Sequence, residues 1–340
     1  MEKEPFDNDL NVSRQELLDE IELWLHDQHP EYRLRSIVGT AGIGKSWFMA
    51  DLYRMLWGDP QFHVIWLDMS QSAKDPFDIE QILPDCRTED GRCAWLQKVA
   101  QDSAAKYTPD IFVFQPDAPF VSNFREFVNV IGRRNPPVCV LLVDGYDEVL
   151  APDHQDFLQE HVLSRFWGGN NTRILLARRD EDIISHPILS WNDDPVRLKG
   201  FQESQSREQV ERRAKNTKDI QIMPDRIPQI FAPYFSTNPF INTFLFNRLI
   251  KNTPLTLKST DIDACASAVI SRAGLSSNHL QLARNIAQTL QAEWTARDLS
   301  DILTIDLEDA TLSDLFKAGI VYQIPGTAKY RVEEGLYGLL

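Results

Sequence analysis

At 340 residues and 39.1 kDa the chain exceeds one ordinary domain of about 150 residues, so two or three folded units are expected. Hydrophobic residues make up 43% and charged residues 25%, a globular balance that excludes long disorder. Lys plus Arg number 35 against 50 Asp plus Glu, and the resulting net charge of -15 repels phosphate backbones, so nucleic acid is not the default partner.

In chain order, the polar stretch Asn8–Ser13 is followed by Leu17, Leu18, Ile21 and Leu25 at helical spacing, which predicts an amphipathic helix over Glu16–Leu25. Leu34–Val38 reads as a short strand, Gly39–Gly44 as a glycine-rich loop, and Lys45–Trp57 as a helix ending before Gly58-Asp59-Pro60. Further strands are predicted at His63–Met69, Val138–Val143, Arg173–Ala177 and Val196–Leu198, with helical segments between most of them. Such alternation implies crossover connections and a parallel sheet, whose central strands read as continuous apolar runs, as Val138–Val143 does. Pro76, Pro84, Pro109, Pro116 and Pro119 break up residues 75–119, which read as an irregular insertion with a helix near Trp95–Ala105.

Beyond Gly200-Phe201 the strand signal fades. Helical periodicity takes over at Glu203–Lys215, Phe240–Ile250 and Ile262–Ala273, and the shift places a domain boundary near residue 200. Helices at Leu280–Gln291, Ala296–Thr304 and Leu312–Ala318 then precede a strand at Ile320–Ile324, a Pro325-Gly326 turn and a strand at Tyr330–Val332. Three helices and a hairpin make a winged-helix pattern. There is no internal repeat and no low-complexity tract.

Cys86, Cys93, Cys139 and Cys265 form no CxxC pair, and the histidines show no metal-ligand spacing, so no zinc site is expected. The acidic N-terminus lacks an apolar leader and no apolar run could span a bilayer, so the expected location is the cytoplasm, away from membranes. The pairs Arg133-Arg134, Arg178-Arg179 and Arg212-Arg213 could form a local basic face, although such pairs are more often solvated surface.

Gly39-Thr40-Ala41-Gly42-Ile43-Gly44-Lys45-Ser46 fits GxxxxGK[ST] at every fixed position. At a glycine frequency of about 7%, a chance match in a chain this long is of the order of one per cent. Small residues let successive N–H groups point at phosphate oxygens, and the following helix adds its positive N-terminal end. Lys45 would reach the β- and γ-phosphates of a nucleotide, and Ser46 would hold Mg²⁺. Thr40 and Trp47 flank the loop, where packing explains them as well as chemistry does.

Val140-Leu141-Leu142-Val143-Asp144 is an apolar strand ending in a carboxylate, the Walker B arrangement. On a strand neighbouring the loop's own strand, Asp144 would lie where Mg²⁺ sits. Asp147 and Glu148 follow within a short turn, where a carboxylate can polarise an attacking water; Glu148 is the preferred base and Asp147 its rival. Arg178 and Arg179 leave the next strand at the same edge. One of them, Arg178 by preference, would sense the γ-phosphate, unless the pair simply bridges to Asp180 or Glu181.

These residues resemble a family. The loop Gly39–Ser46 followed by Trp47-Phe48, the run Asp144-Gly145-Tyr146-Asp147-Glu148, and Leu175-Leu176-Ala177-Arg178-Arg179 are similar to motifs of the STAND signal-transduction ATPases, particularly their NACHT branch. Val12-Ser13-Arg14-Gln15-Glu16-Leu17 resembles the family segment that lies over the adenine, with Ser13 where glycine is usual. Asn238-Pro239-Phe240 resembles the helical segment whose proline packs near the base, and Leu198-Lys199-Gly200-Phe201 resembles the exit from the nucleotide domain. Tyr330-Arg331-Val332-Glu333-Glu334 falls where relatives carry Met-His-Asp, and it has no histidine. Relatives usually add an effector domain before the ATPase and a repeat-built sensor after it; with neither in this sequence, it reads as a fragment of a longer protein or a minimal member.

The resemblance implies an α/β P-loop NTPase with a parallel sheet in residues 1–200, a helical domain in 201–275 and a C-terminal winged helix in 276–340. It also implies a switch that binds ATP or ADP with Mg²⁺, hydrolyses ATP slowly, self-associates on activation, and works with an unidentified effector or sensor protein. The alternatives are an AAA-like ATPase acting on DNA, which would need a basic recognition helix that Ala310–Ala318 does not supply, and a small-molecule P-loop kinase. No Asn-Lys-x-Asp sequence favours GTP.

Overall fold

The computed structural model describes residues 7, 9–27, 30–68, 88–107, 112–133, 137–146, 156–169, 171–179, 193–217, 226–252, 254–290, 293–318, 320–324, 327–332 and 340. Asp147, Glu148 and the Pro325-Gly326 turn lie outside them.

The sheet half contains α1 (Gln15–His26), β1 (Leu34–Val38), α2 (Lys45–Trp57), β2 (Phe62–Asp68), α3 (Glu89–Tyr107), α4 (Phe120–Ile131), β3 (Val138–Asp144), α5 (Ser164–Trp167), β4 (Thr172–Arg178) and β5 (Asp193–Arg197). The strands form one parallel sheet in the order β2-β3-β4-β1-β5. Along β3 the side chains alternate as the pleat demands. Val140 and Leu142 join α1 and α2 in a core built on Ile21, Leu25, Phe48, Met49 and Leu52. Leu141 and Val143 join α3, α4 and the helical turns before β4 in a second core that contains Trp95, Phe124, Phe127 and Phe166. Both faces are covered, which is why β3 and β4 read as unbroken apolar runs.

Three features depart from the sequence reading. Strand β4 lies between β1 and β3, so Asp144 is on the second strand from the phosphate loop and not on its neighbour. Strand order depends on which crossover packs where, and no local pattern encodes it. Pro119 starts α4 as its N-cap instead of only breaking the chain, and Phe120, Phe124, Phe127, Val128 and Ile131 form that helix's buried face. The edge strand β5 starts earlier than expected and contains Pro195, which an edge tolerates because one side needs no ladder donor.

The helical half contains α6 (Glu203–Asn216), α7 (Ile227–Phe231), α8 (Pro239–Leu249), α9 (Ser259–Arg272), α10 (Ser277–Thr289), α11 (Ala296–Leu303) and α12 (Ala310–Lys317). It closes with an antiparallel sheet ordered β6-β8-β7, made from β6 (Trp294–Thr295), β7 (Val321–Gln323) and β8 (Lys329–Val332). The two residues of β6 are too short to show a period of two. They are fixed by pairing, with Trp294 opposite Tyr330 and the two rings stacked at 5.2 Å between centroids. Thr295 then caps α11 in a reciprocal capping box with Asp298. A single hydrophobic cluster runs from Val210 through Ile286 to Val332, and it also takes in Ala41 from the glycine loop.

Candidate functional site

Parallel strands bring their carboxyl ends to one edge, where the connections after β1, β3 and β4 meet. The loop 39–44 leaves β1 with Gly42 at φ 83° and Gly44 at φ 99°, a left-handed region that side chains rarely adopt. Gly42 is also tightly enclosed, because a Cβ there would lie 2.7 Å from Phe240 Cβ. Gly44 is the N-cap of α2, so the loop runs directly into that helix's positive end. Lys45 begins the helix and turns its ammonium back across the loop, donating to the carbonyls of Gly39 (2.5 Å) and Thr40 (3.2 Å).

Around this loop lies a cleft of about 1200 Å³ including its mouth, with walls from both halves of the molecule. Of the residues the sequence singled out, Ala41, Gly42, Gly44, Lys45, Ser46, Trp47, Asp144, Val12 and Pro239 line it. Gly39, Thr40 and Ile43 stand behind it, with Thr40 and Ile43 4% and 3% exposed, and exposed Ser13 does not line it either. Asp144 ends β3 at 2% exposure and reaches the same cleft as Ser46. Arg178 ends β4 and is buried without lining the cleft, whereas Arg179, one residue on, does line it.

Among the described residues, the guanidiniums of Arg14, Arg179, Arg213 and Arg272 and the ammonium of Lys45 line the cleft, against the carboxylates of Asp51 and Asp144. In a chain of charge -15 this concentrates positive potential at one place, as a polyanionic ligand requires. Arg213 is 6% exposed on α6 and Arg272 stacks over Phe240 at 4.9 Å. The paired arginines were unreadable from sequence because adjacent residues on a helix or strand end face different ways; Arg179 and Arg213 point inward.

Arg14 is the residue that the segment 12–17 contributes most directly. Its Nη2 donates to the carbonyls of Ile43 (2.8 Å) and Lys199 (3.1 Å), and its guanidinium lies 4.7 Å from the Phe201 ring centre. It therefore ties the N-terminal segment to the phosphate loop and to the exit from the sheet. Burial lowers its pKa to about 10, so it remains a cation at neutral pH.

The helical half touches the loop directly. Asn238, fully buried, caps α8 by accepting from Phe240 N at 3.0 Å and donates from Nδ2 to Ala41 O at 3.3 Å. On the other side, Arg179 Nη1 donates to Ala273 O at the C-terminal end of α9, 3.0 Å away. The C-terminal sheet contributes no lining residue among those described. Its Tyr322 instead sits between Arg197 of β5 (5.0 Å) and Arg331 (5.1 Å), which docks that sheet on the edge strand. Arg331 thus faces Tyr322, and Glu333 and Glu334 lie outside the described residues.

Fold and loop together define the class: a Walker-type P-loop NTPase fold, a parallel α/β sheet with a glycine cradle at its carboxyl edge. A Walker-type ATPase of Pyrococcus abyssi shares this fold at a TM-score of 0.65, with 14% identity over 98% of this chain and 97% of that one. The Cdc6p protein of Pyrobaculum aerophilum matches at 0.47 and 14% identity, over 98% and 95% of the two chains. The Orc1 protein of Aeropyrum pernix, solved with DNA, matches at 0.46 and 14% identity, over 96% and 90%. No protein-family model and no curated protein sequence matches the chain. No described helix is long and apolar enough to cross a membrane.

Proposed function

We propose that this protein is an ATP-hydrolysing switch of the STAND type, NACHT-like, in which a P-loop domain, a helical domain and a winged-helix domain rearrange with the bound nucleotide. The observation that carries this reading is that the phosphate loop is packed against the helical half. Asn238 holds the Ala41 carbonyl, and Phe240 closes over Gly42. A nucleotide that alters this loop alters the contact, and it shifts the equilibrium only as far as its affinities for the two arrangements differ. Inverting the populations from 1:99 to 99:1 takes about 5.5 kcal/mol.

The glycine cradle and the cationic cleft fit a nucleoside triphosphate with Mg²⁺. Ser46 and Asp144 would hold the ion, which when bound neutralises charge on the β- and γ-oxygens. Lys45 compensates phosphate charge, leaving the carbonyls of Gly39 and Thr40 as it does so. Val12, Trp47 and Pro239 wall the side of the cleft assigned to the base. Glu148, with Asp147 as rival, is assigned to orient the attacking water. Sensing of the γ-phosphate, given to Arg178 by preference on sequence, is assigned to Arg179, a reading supported by Arg179 lining the cleft while Arg178 is buried behind it. An anion that drew Arg179 away from Ala273 O would release the end of α9. Opening of the halves exposes surface for self-association and for an effector or sensor protein.

A DNA-acting ATPase would need a basic reading helix. On α12 the N-cap is Asp309, and Lys317 pairs with Asp314 at 3.7 Å, which favours the switch. The test is to denature purified protein, identify released nucleotide, and measure mass by light scattering with ADP and with ATP-Mg²⁺. Co-purified ADP in a monomer that assembles with ATP is expected; rapid turnover without a size change would overturn the switch. Lys45→Ala is expected to weaken ATP binding about a hundredfold, the loss of a buried charge-assisted contact. Unchanged affinity would sink the P-loop assignment itself.

A further inference from the structure

The amino edge of the parallel sheet, opposite the cleft, carries a second concavity of about 760 Å³ including its mouth. It lies where α4 and α5 end, at Gly132 and Gly168-Gly169, just before the chain enters β3 and β4. The seven residues of each strand put about 20 Å of sheet between this groove and the phosphate loop. It is a separate place and not an extension of the nucleotide site.

Arg125, Arg133 and Arg165 line the groove, and all three are exposed. Among the described residues none of their guanidiniums makes a hydrogen bond, ion pair or ring contact. In a chain where acids outnumber bases by 50 to 35, the groove thus gathers three unpaired cations in one place. Among the described residues no carboxylate lines the groove. Each helix ending there contributes roughly half a negative charge, so three full positive charges leave a clear positive excess.

The walls define the ligand further. Val128 is the apolar side chain among the described lining residues, none of which is an aromatic ring for a base or sugar to stack on. Gly168 is exposed and adds no side chain at the rim, where a Cβ would meet nothing nearer than 3.5 Å. Arg165 lies two residues beyond the π-helical turn Leu158–Leu163, which shifts the phase of the helix just ahead of it. Such turns are costly and cluster at functional sites. Guanidinium forks match phosphate oxygens two at a time, and three around a small hollow suit adjacent phosphates.

We propose that Arg125, Arg133 and Arg165 form a second anion site that binds a short polyphosphate chain, free or as the tail of a small phosphoester, on the face opposite the nucleotide cleft. This gives Arg133 of the Arg133-Arg134 pair a use that the cleft does not supply. The proposal does not depend on the switch reading, since it involves none of the cleft residues.

The experiment is titration calorimetry with inorganic tripolyphosphate in magnesium-free buffer, using the full chain saturated with ADP and, separately, the Lys45→Ala variant. One site per chain is expected in both. Affinity should fall about tenfold in Arg125→Ala and in Arg165→Ala, and less in Arg125→Lys, which keeps the charge but loses the fork. ATP added to Lys45→Ala should compete if the natural ligand is a phosphoester tail, and inorganic chain alone should bind if it is free polyphosphate. Absence of binding, or binding unaffected by both alanine variants, overturns the proposal. So does tighter binding of a single-stranded oligonucleotide with the same arginine dependence, which would assign the groove to nucleic acid.

Discussion

The sheet half and the helical half are each built around large apolar cores, but the joint between them is mostly polar. In the sheet half, strands bury both faces, and residues such as Leu141 and Leu142 send their side chains to opposite cores. In the helical half one cluster runs through seven helices and the terminal sheet. Across the joint stand Asn238 to Ala41, Arg179 to Ala273, and Tyr322 between two arginines. A buried Leu or Phe contributes about 1.5–3 kcal/mol, while a single hydrogen bond nets about 1 kcal/mol. Each half is therefore held more strongly than the joint between them, and the glycine loop sits on that joint.

The sharpest way to break this comparison is at Gly42. Gly42→Ala requires a side chain at φ 83° with its Cβ 2.7 Å from Phe240 Cβ, so a loss of about 2–3 kcal/mol is expected. Thermal unfolding and nucleotide affinity should both fall; if neither moves, the loop is not fitted to the helical half. Next, Asn238→Ala removes a helix cap and a contact to the loop at once, for about 1–2 kcal/mol in denaturant unfolding. Asn238→Ser sharpens the result, since it keeps a capping oxygen but cannot reach Ala41. It should restore most of the stability while leaving the ADP to ATP preference altered. The smallest effect is expected at Tyr322. Tyr322→Ala removes the ring between Arg197 and Arg331, worth about 0.5–1 kcal/mol, and should raise hydrogen exchange in β5 and β7 without lowering ATP affinity. Lower affinity would mean that the terminal sheet reaches the cleft after all.

Legibility followed locality. The bounds of β1 and α2 were readable to the residue, because a short apolar run, a glycine loop and a periodic helix declare themselves in sequence. The loop itself was readable because its glycines, Lys45 and Ser46 are contiguous. Helix α4 was obscured by prolines that turned out to precede it, and β6 was too short to carry a pattern. At the site, Asp144 was legible as the carboxylate ending an apolar strand. Arg14 was visible only as part of a segment and Arg213 only as half of an arginine pair, while Arg272 gave no signal, since each acts from an element distant in sequence.

By itself, then, the sequence determined the phosphate loop, the alternation that makes a parallel sheet, and the change to helices after residue 200, all of which depend on neighbours in the chain. Tertiary structure alone decided that β4 separates β1 from β3, that Arg179 and not Arg178 faces the cleft, that Ala41 joins the helical core, and that three arginines surround a groove on the far edge. Those facts depend on which surfaces pack together, and packing is settled by long-range burial that no local pattern records.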